Sequence, residues 1–168
     1  MQTTLFETTD TQDQPTRTAR PYSIPVYRIV LVREGGCKTS QPQLRSSDDA
    51  ATIFRQYLAG VDREHFVVAM LDQNNKLIGI NTVSIGSLSA SVVAPREVFK
   101  PAILSNAASL ICCHNHPSGA FEPSEADREV TKRLVAAGKL LSIPVIDHIV
   151  LGDGTTEYFS FADHGELP

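Results

Sequence analysis

His114 and His116 are separated by one residue at the end of the apolar run Ser109–Cys113. Side chains at i and i+2 of a strand project to the same side, so both imidazoles can reach one point. Downstream, Ser124-Glu125-Ala126-Asp127 opens a stretch of helical periodicity and sets Asp127 in its first turn. Two imidazoles and a carboxylate make a three-ligand set suited to catalytic zinc, with a fourth position left for water. A water held in this way has its pKa lowered to about 7, which supplies hydroxide at neutral pH. Such chemistry also needs a general base. Glu64 precedes an apolar run in Asp62-Arg63-Glu64-His65-Phe66, and a carboxylate there can project over a metal from a neighbouring element. Spacing alone does not put it there.

Each residue has an ordinary reading as well. Ser124-x-x-Asp127 has the form of a capping box, which satisfies N–H groups at a helix start. Paired histidines occur on loop rims, and a lone glutamate is commonly a solvated charge. The co-occurrence carries the argument: a strand-end His-x-His, a Pro/Gly-rich loop through Pro117, Gly119 and Pro123, then a capped acidic helix start. Asp147 and His148 are neighbours in a strand, so they face opposite ways and at most one points to the site. A buried structural histidine is the favoured role, with a supporting partner for a ligand as the other. His65 and His164 read as bystanders.

The elements that must position these residues follow from patterning. Residues 1–23 are polar and read as a flexible tail, and residues 24–168 as one domain. Ile24–Arg33, apolar and β-branched, suits a first strand. Ser46 or Ser47 caps a helix from Asp48 to about Ala59. His65–Leu71 and Lys76–Val83 flank Asp72-Gln73-Asn74-Asn75, a strand–turn–strand pattern most simply made as a hairpin. Ser84–Ala94 reads as a further extended piece. Pro95 starts a helix to about Ala108, with a kink or restart at Pro101, which lacks an N–H and crowds the preceding turn. Glu125–Ala137 carries the apolar stripe Ala126, Val130, Leu134 and Ala137, with Gly138 ending it. Pro144–Leu151 and Thr156–Phe161 are closing strands. Helices alternating with strands predict an α/β sandwich, a mixed sheet flanked by helices.

The totals narrow the function classes. The chain has 168 residues, 42% hydrophobic and 20% charged, which is ordinary for a globular domain with its own core. Its formal net charge is −4 and its Lys and Arg residues are scattered, which argues against a nucleic-acid partner. Its three cysteines, Cys37, Cys112 and Cys113, show no CxxC and no framework spacing. That fits a reducing compartment and excludes a sulfur-rich metal site. No apolar leader or membrane-length run appears, so the expected setting is the cytoplasm.

His114-x-His116-(x)7-Ser124-x-x-Asp127 resembles the JAMM (MPN+) metalloprotease motif, with Glu64 as its upstream glutamate. The chain is most similar to the RadC-like JAB-domain branch. The stretches that carry this are Pro95-Arg96-Glu97-Val98-Phe99, His114-Asn115-His116-Pro117-Ser118-Gly119, Pro123-Ser124 and Asp147-His148, together with the ending around Tyr158–Glu166. Ala94 stands where that branch usually has His, and residues 1–45 show nothing like the helix-hairpin-helix region of full-length relatives. The resemblance implies a JAB/MPN-like, cytidine-deaminase-like fold and a zinc-dependent metallopeptidase or isopeptidase acting on a protein or peptide. It implies His114, His116 and Asp127 as Zn2+ ligands, Glu64 as general base and Ser124 as hydrogen-bond donor to the oxyanion. A zinc deaminase fails, because residue 116 is His and the Pro-Cys-x-x-Cys element is missing. The letters His-Asn-His coincide with the name of a nuclease family whose residues are dispersed differently. A non-catalytic metal-binding module and, behind it, a metal-dependent nuclease are the alternatives. The sequence names neither a substrate nor an oligomeric state.

Overall fold

A computed structural model describes residues 23–36, 38–40, 42–86 and 93–167. Among them run α1 (Ser47–Tyr57), β1 (His65–Leu71), β2 (Leu77–Ile85), α2 (Pro95–Leu104), β3 (Ser109–His116), α3 (Glu125–Leu141), β4 (Val145–Gly152) and β5 (Tyr158–Ser160). The strands form one sheet in the order β2-β1-β3-β4-β5. Only β3 and β4 pair in parallel, joined by α3 as the crossover; the other neighbours are antiparallel. The expected mixed α/β sandwich is what forms.

Period-2 alternation in the central strands explains the layers. Phe66, Val68, Met70, Leu110 and Cys112 meet Val98 and Phe99 of α2 and Val130 and Leu134 of α3. Val67, Ala69, Leu71, Ile111 and Cys113 meet Ala50, Ile53 and Phe54 of α1 on the other face. With helices on both faces, β1 and β3 are buried along nearly their whole length rather than on alternate residues. The adjacent Cys112 and Cys113 divide between the two cores, both fully buried. The predicted hairpin is β1–β2. Asp72 Oδ1 accepts from the N–H groups of Asn74 and Lys76, and Asn75 takes the left-handed conformation that closes the turn.

Several expectations need correction or fall aside. Ile24–Arg33 forms no strand: Ile24, Val26, Tyr27, Ile29 and Val32 are all exposed, and the segment has no ladder partner among the described residues. Composition gives local β preference, but a strand exists only with a neighbour to bond. At Pro101 there is no restart, since α2 runs unbroken from Pro95 to Leu104 with Val98, Phe99, Pro101 and Ala102 buried. It stops short of Ala108 because Asn106 adopts φ 52°, while Ala107 N–H bonds Ala102 O and Asn106 N–H bonds Ile103 O. Gly138 does not end α3, which continues to Leu141 and closes at the left-handed Ser142. A Cβ at Gly138 would lie 2.7 Å from Ile143 O, so the glycine is there for close packing. The polar stretch 1–22, Cys37 and most of Ser84–Ala94 lie outside the described residues.

Candidate metal centre

The site sits where the carboxyl end of β3 meets the amino end of α3. His114 and His116 project from the α3 side of the sheet, as their spacing requires, with Nε2 atoms 3.0 Å apart. α3 is fastened by a reciprocal capping box. Ser124 Oγ accepts Asp127 N–H (3.2 Å), and Ser124 N–H donates to Asp127 Oδ2 (2.7 Å). The Ser124 hydroxyl also gives its single proton to Asp127 Oδ2, at 2.6 Å. Asp127 then meets both rings, Oδ1 at 3.3 Å from His114 Nε2 and Oδ2 at 3.7 Å from His116 Nε2.

Hydrogen bonds fix which ring nitrogens carry protons. His116 Nδ1 lies 3.0 Å from Ala120 O, which can only accept, so Nδ1 is protonated. For His114 the logic runs through two buried neighbours. Thr131 Oγ1 donates to Asp127 O (2.6 Å), so it must accept from His148 Nδ1 (2.6 Å). His148 Nε2 is then the lone-pair atom and accepts from His114 Nδ1 at 2.9 Å. His148 is held neutral. Burial between Phe66 and Phe161 presses its pKa well below the usual histidine value, and His114 adds to the effect. With Nδ1 of both rings committed to hydrogen bonds, each Nε2 faces the other ring and the Asp127 carboxylate: protonated, it donates to Asp127, and neutral, it offers the lone pair that a metal ion would take. That donor set fits a metal ion.

The charges agree. Burial opposes ionisation of Asp127, but hydrogen bonds from His114, His116 and Ser124 outweigh it and hold the carboxyl far below the ordinary range. The same bond to Asp127 raises the His116 pKa against partial desolvation.

Glu64 ends the segment leading into β1. The β1–β3 pairing ends with Phe66 opposite His114, and Glu64 lies two residues before Phe66, just beyond that last pair. Glu64, His114 and His116 each offer a ligand atom within 4.8 Å of the others, and they form a possible metal site. Asp127 joins the same two imidazoles from the α3 side. Sequence spacing could not place Glu64; the end of the β1–β3 ladder, beside the two histidines, does.

The loop after His116 depends on two glycines. Gly119 has φ 82°, and a Cβ on Gly152 would collide with Gly119 O, so the loop lies directly on the β4 end. That contact keeps Ala120 O within reach of His116. Asp147 faces away from the site and accepts from Ser160 Oγ, Ala162 N–H and His148 N–H, its pKa raised by burial. His65 and His164 turn to the backbone carbonyls of Arg63 and Ser160. Burial pushes both the Cys112 and Cys113 thiols up, leaving them unreactive. The sequence reading passed over Thr131, whose only signal is its place one helical turn after Asp127. It also passed over Asn115, between the two histidines.

Comparison with known proteins identifies relatives of the chain. Among curated relatives, a UPF0758 protein of Rubrobacter xylanophilus is 50% identical over 140 residues, covering 83% of this chain and 59% of its own length. One from Caldanaerobacter subterraneus is 52% identical over 109 residues, 65% of this chain and 47% of that protein. A third, from Shouchella clausii, is 50% identical over 117 residues, covering 70% and 51%. The chain thus spans about half the length of the curated relatives it matches. Among the described residues no helix is long and apolar enough to cross a membrane. Residues 44–166, from the segment just before α1 to the last turn after β5, match the RadC-like JAB domain, and the chain belongs to that family.

Proposed function

We propose that the protein is a zinc-dependent hydrolase of metallopeptidase or isopeptidase type, acting on an amide bond of a protein or peptide. The observation that carries this reading is the convergence of the two imidazole Nε2 atoms on the Asp127 carboxylate, with Glu64 alongside. In it, His114 and His116 through Nε2, together with Asp127, hold the ion. When bound, zinc supplies Lewis acidity, polarising a carbonyl and bringing the pKa of a water to about 7. Glu64, beside His116, takes the proton from that water and returns it to the leaving nitrogen. Ser124 donates to the oxyanion. Its proton must first leave Asp127 Oδ2, while Oγ goes on accepting Asp127 N–H. A cytoplasmic setting belongs to the same proposal, since Cys112 and Cys113 are unpaired.

Metal analysis and a degenerate peptide pool read by mass spectrometry test it. The purified chain is expected to hold about one zinc, to lose it in His116→Ala, and to keep it without cleavage in Glu64→Gln. Metal content indifferent to His116→Ala overturns the site.

One observation favours a second reading. Glu64 lies close enough to both imidazoles to serve as a further ligand. Four protein ligands would close the site and make it structural, a metal-binding module without turnover. In that case Glu64→Gln weakens metal binding, and the zinc-loaded chain cleaves nothing.

A further inference from the structure

Asn115 lies between the two histidines on β3, so its side chain projects from the opposite face, where it is fully buried. Its amide is saturated. Oδ1 accepts His65 N–H at 2.8 Å, and Nδ2 donates to Arg63 O and to Asp153 Oδ2, each at 3.1 Å. Arg63 and His65 are the two residues that flank Glu64. The regular β1–β3 ladder ends at Phe66 opposite His114. Beyond it, Asn115 does with a side-chain amide what the next peptide of a strand would do. It accepts from one N–H and donates to the carbonyl two residues back. On the other side, Glu64 O accepts Gly86 N–H at 2.8 Å. Asp153, which takes the second Nδ2 proton, also donates its N–H to His116 O at 3.1 Å.

We infer that Asn115 is a positioning residue for Glu64: its amide brackets the Glu64 peptide and holds that carboxylate beside His116. This rests on the reading of Glu64 given above. A carboxylate at a strand end sits on a backbone that frays unless its N–H and C=O groups are occupied. Asn115 occupies the Arg63 C=O and the His65 N–H on either side of Glu64, and because it is covalently next to both histidines, the base and the imidazoles move as one unit. Aspartate cannot substitute, because it has no proton for Arg63 O and would set a charge against Asp153.

The test is made on the full chain, metal-free and then titrated with zinc, by NMR with 13C at glutamate Cδ and 15N in the imidazoles. In the wild type, zinc moves the Glu64 Cδ resonance together with the His114 and His116 ring nitrogens. In Asn115→Ala the ring nitrogens still respond, the Glu64 response is largely lost, and His65 N–H exchanges roughly tenfold faster, as loss of one hydrogen bond predicts. Asn115→Asp, which keeps volume and the acceptor for His65, serves if the alanine variant does not fold. There His65 stays protected and the Glu64 response is lost. A Glu64 that responds in the Asn115 variants as in the wild type overturns this inference alone. A wild-type Glu64 that ignores zinc while both rings respond overturns the reading of Glu64 itself.

Discussion

His114 Nδ1 and His148 Nε2 lie 2.9 Å apart in a position closed to solvent, and the proton between them belongs to His114. That assignment follows from a carbonyl one helical turn away. Asp127 O can only accept, so Thr131 must donate to it, and the direction of every bond from there to His114 is set. The result is that His114 keeps a proton on Nδ1, so Nε2, facing His116, is the atom left to bind a metal. A supporting hydrogen bond of this kind orients a ligating ring and makes it more basic.

Thr131→Val is therefore expected to weaken zinc binding about 10- to 100-fold, the usual cost of losing an outer partner. It should also destabilise the metal-free fold by about 1–3 kcal/mol, because His148 Nδ1–H is left buried without an acceptor. Competition with a chromophoric chelator measures the first effect and urea unfolding the second. Equal zinc affinity in the variant would show that the chain of bonds does not govern His114.

Ser124→Ala removes the side-chain half of the capping box and the proton given to Asp127 Oδ2. Unfolding free energy should fall by about 0.5–2 kcal/mol, and Ser124→Thr should restore most of it. If Ser124 is also the oxyanion donor, hydrolysis by the alanine variant drops by about 10²–10³, well beyond what a frayed cap would cause. Peptide cleavage rates normalised to bound zinc separate the two effects.

Much of this arrangement was legible in the sequence for a physical reason. Strand alternation and the first turn of a helix are local rules, so the shared face of His114 and His116 and the capping of Asp127 by Ser124 could be read from spacing. The mixed sheet followed from the order of elements. What escaped needed partners distant in sequence. Glu64 joins the site at the end of the β1–β3 ladder, and His148 through the parallel pairing of β4. Gly138 looked like a helix stop, but its role is set by Ile143 and Phe99 packed against it. Ile24–Arg33 shows the reverse limit, with composition suited to a strand and no ladder to join among the described residues.

Gly152→Ala tests the loop after His116. The added methyl would occupy the space of Gly119 O, a backbone atom that cannot swing aside as a side chain would. The loop must lift, which takes Ala120 O away from His116 Nδ1. A loss of about 1–3 kcal/mol in stability is expected from the overpacking, with weaker zinc binding because His116 is no longer held. A crystal structure of the variant with His116 unmoved would separate the two consequences.

The metal-free protein should lose stability on mild acidification, and His148 is the cause. Its folded-state pKa lies well below the usual histidine value, so below about pH 6.5 the unfolded chain takes up a proton that the folded one refuses. More protons bound in the unfolded state means stability that rises with pH, by up to about 1.4 kcal/mol per unit for one group. The groups facing His148 are His114, Thr131 and, beyond them, His116 and Asp127. Two of these are shifted in other windows. His116 has a raised pKa, so its contribution is present below about 6.5 and is lost as the pH rises through its folded value. Asp127 has a lowered pKa, so its contribution is lost only as the pH falls below about 4. Between pH 5 and 6.5, with chelator present, the slope of unfolding free energy against pH should be steeper in the wild type than in His148→Gln by about one proton. Parallel slopes would mean that His148 takes up its proton in the folded state, and the bond directions leading to His114 would have to be reversed.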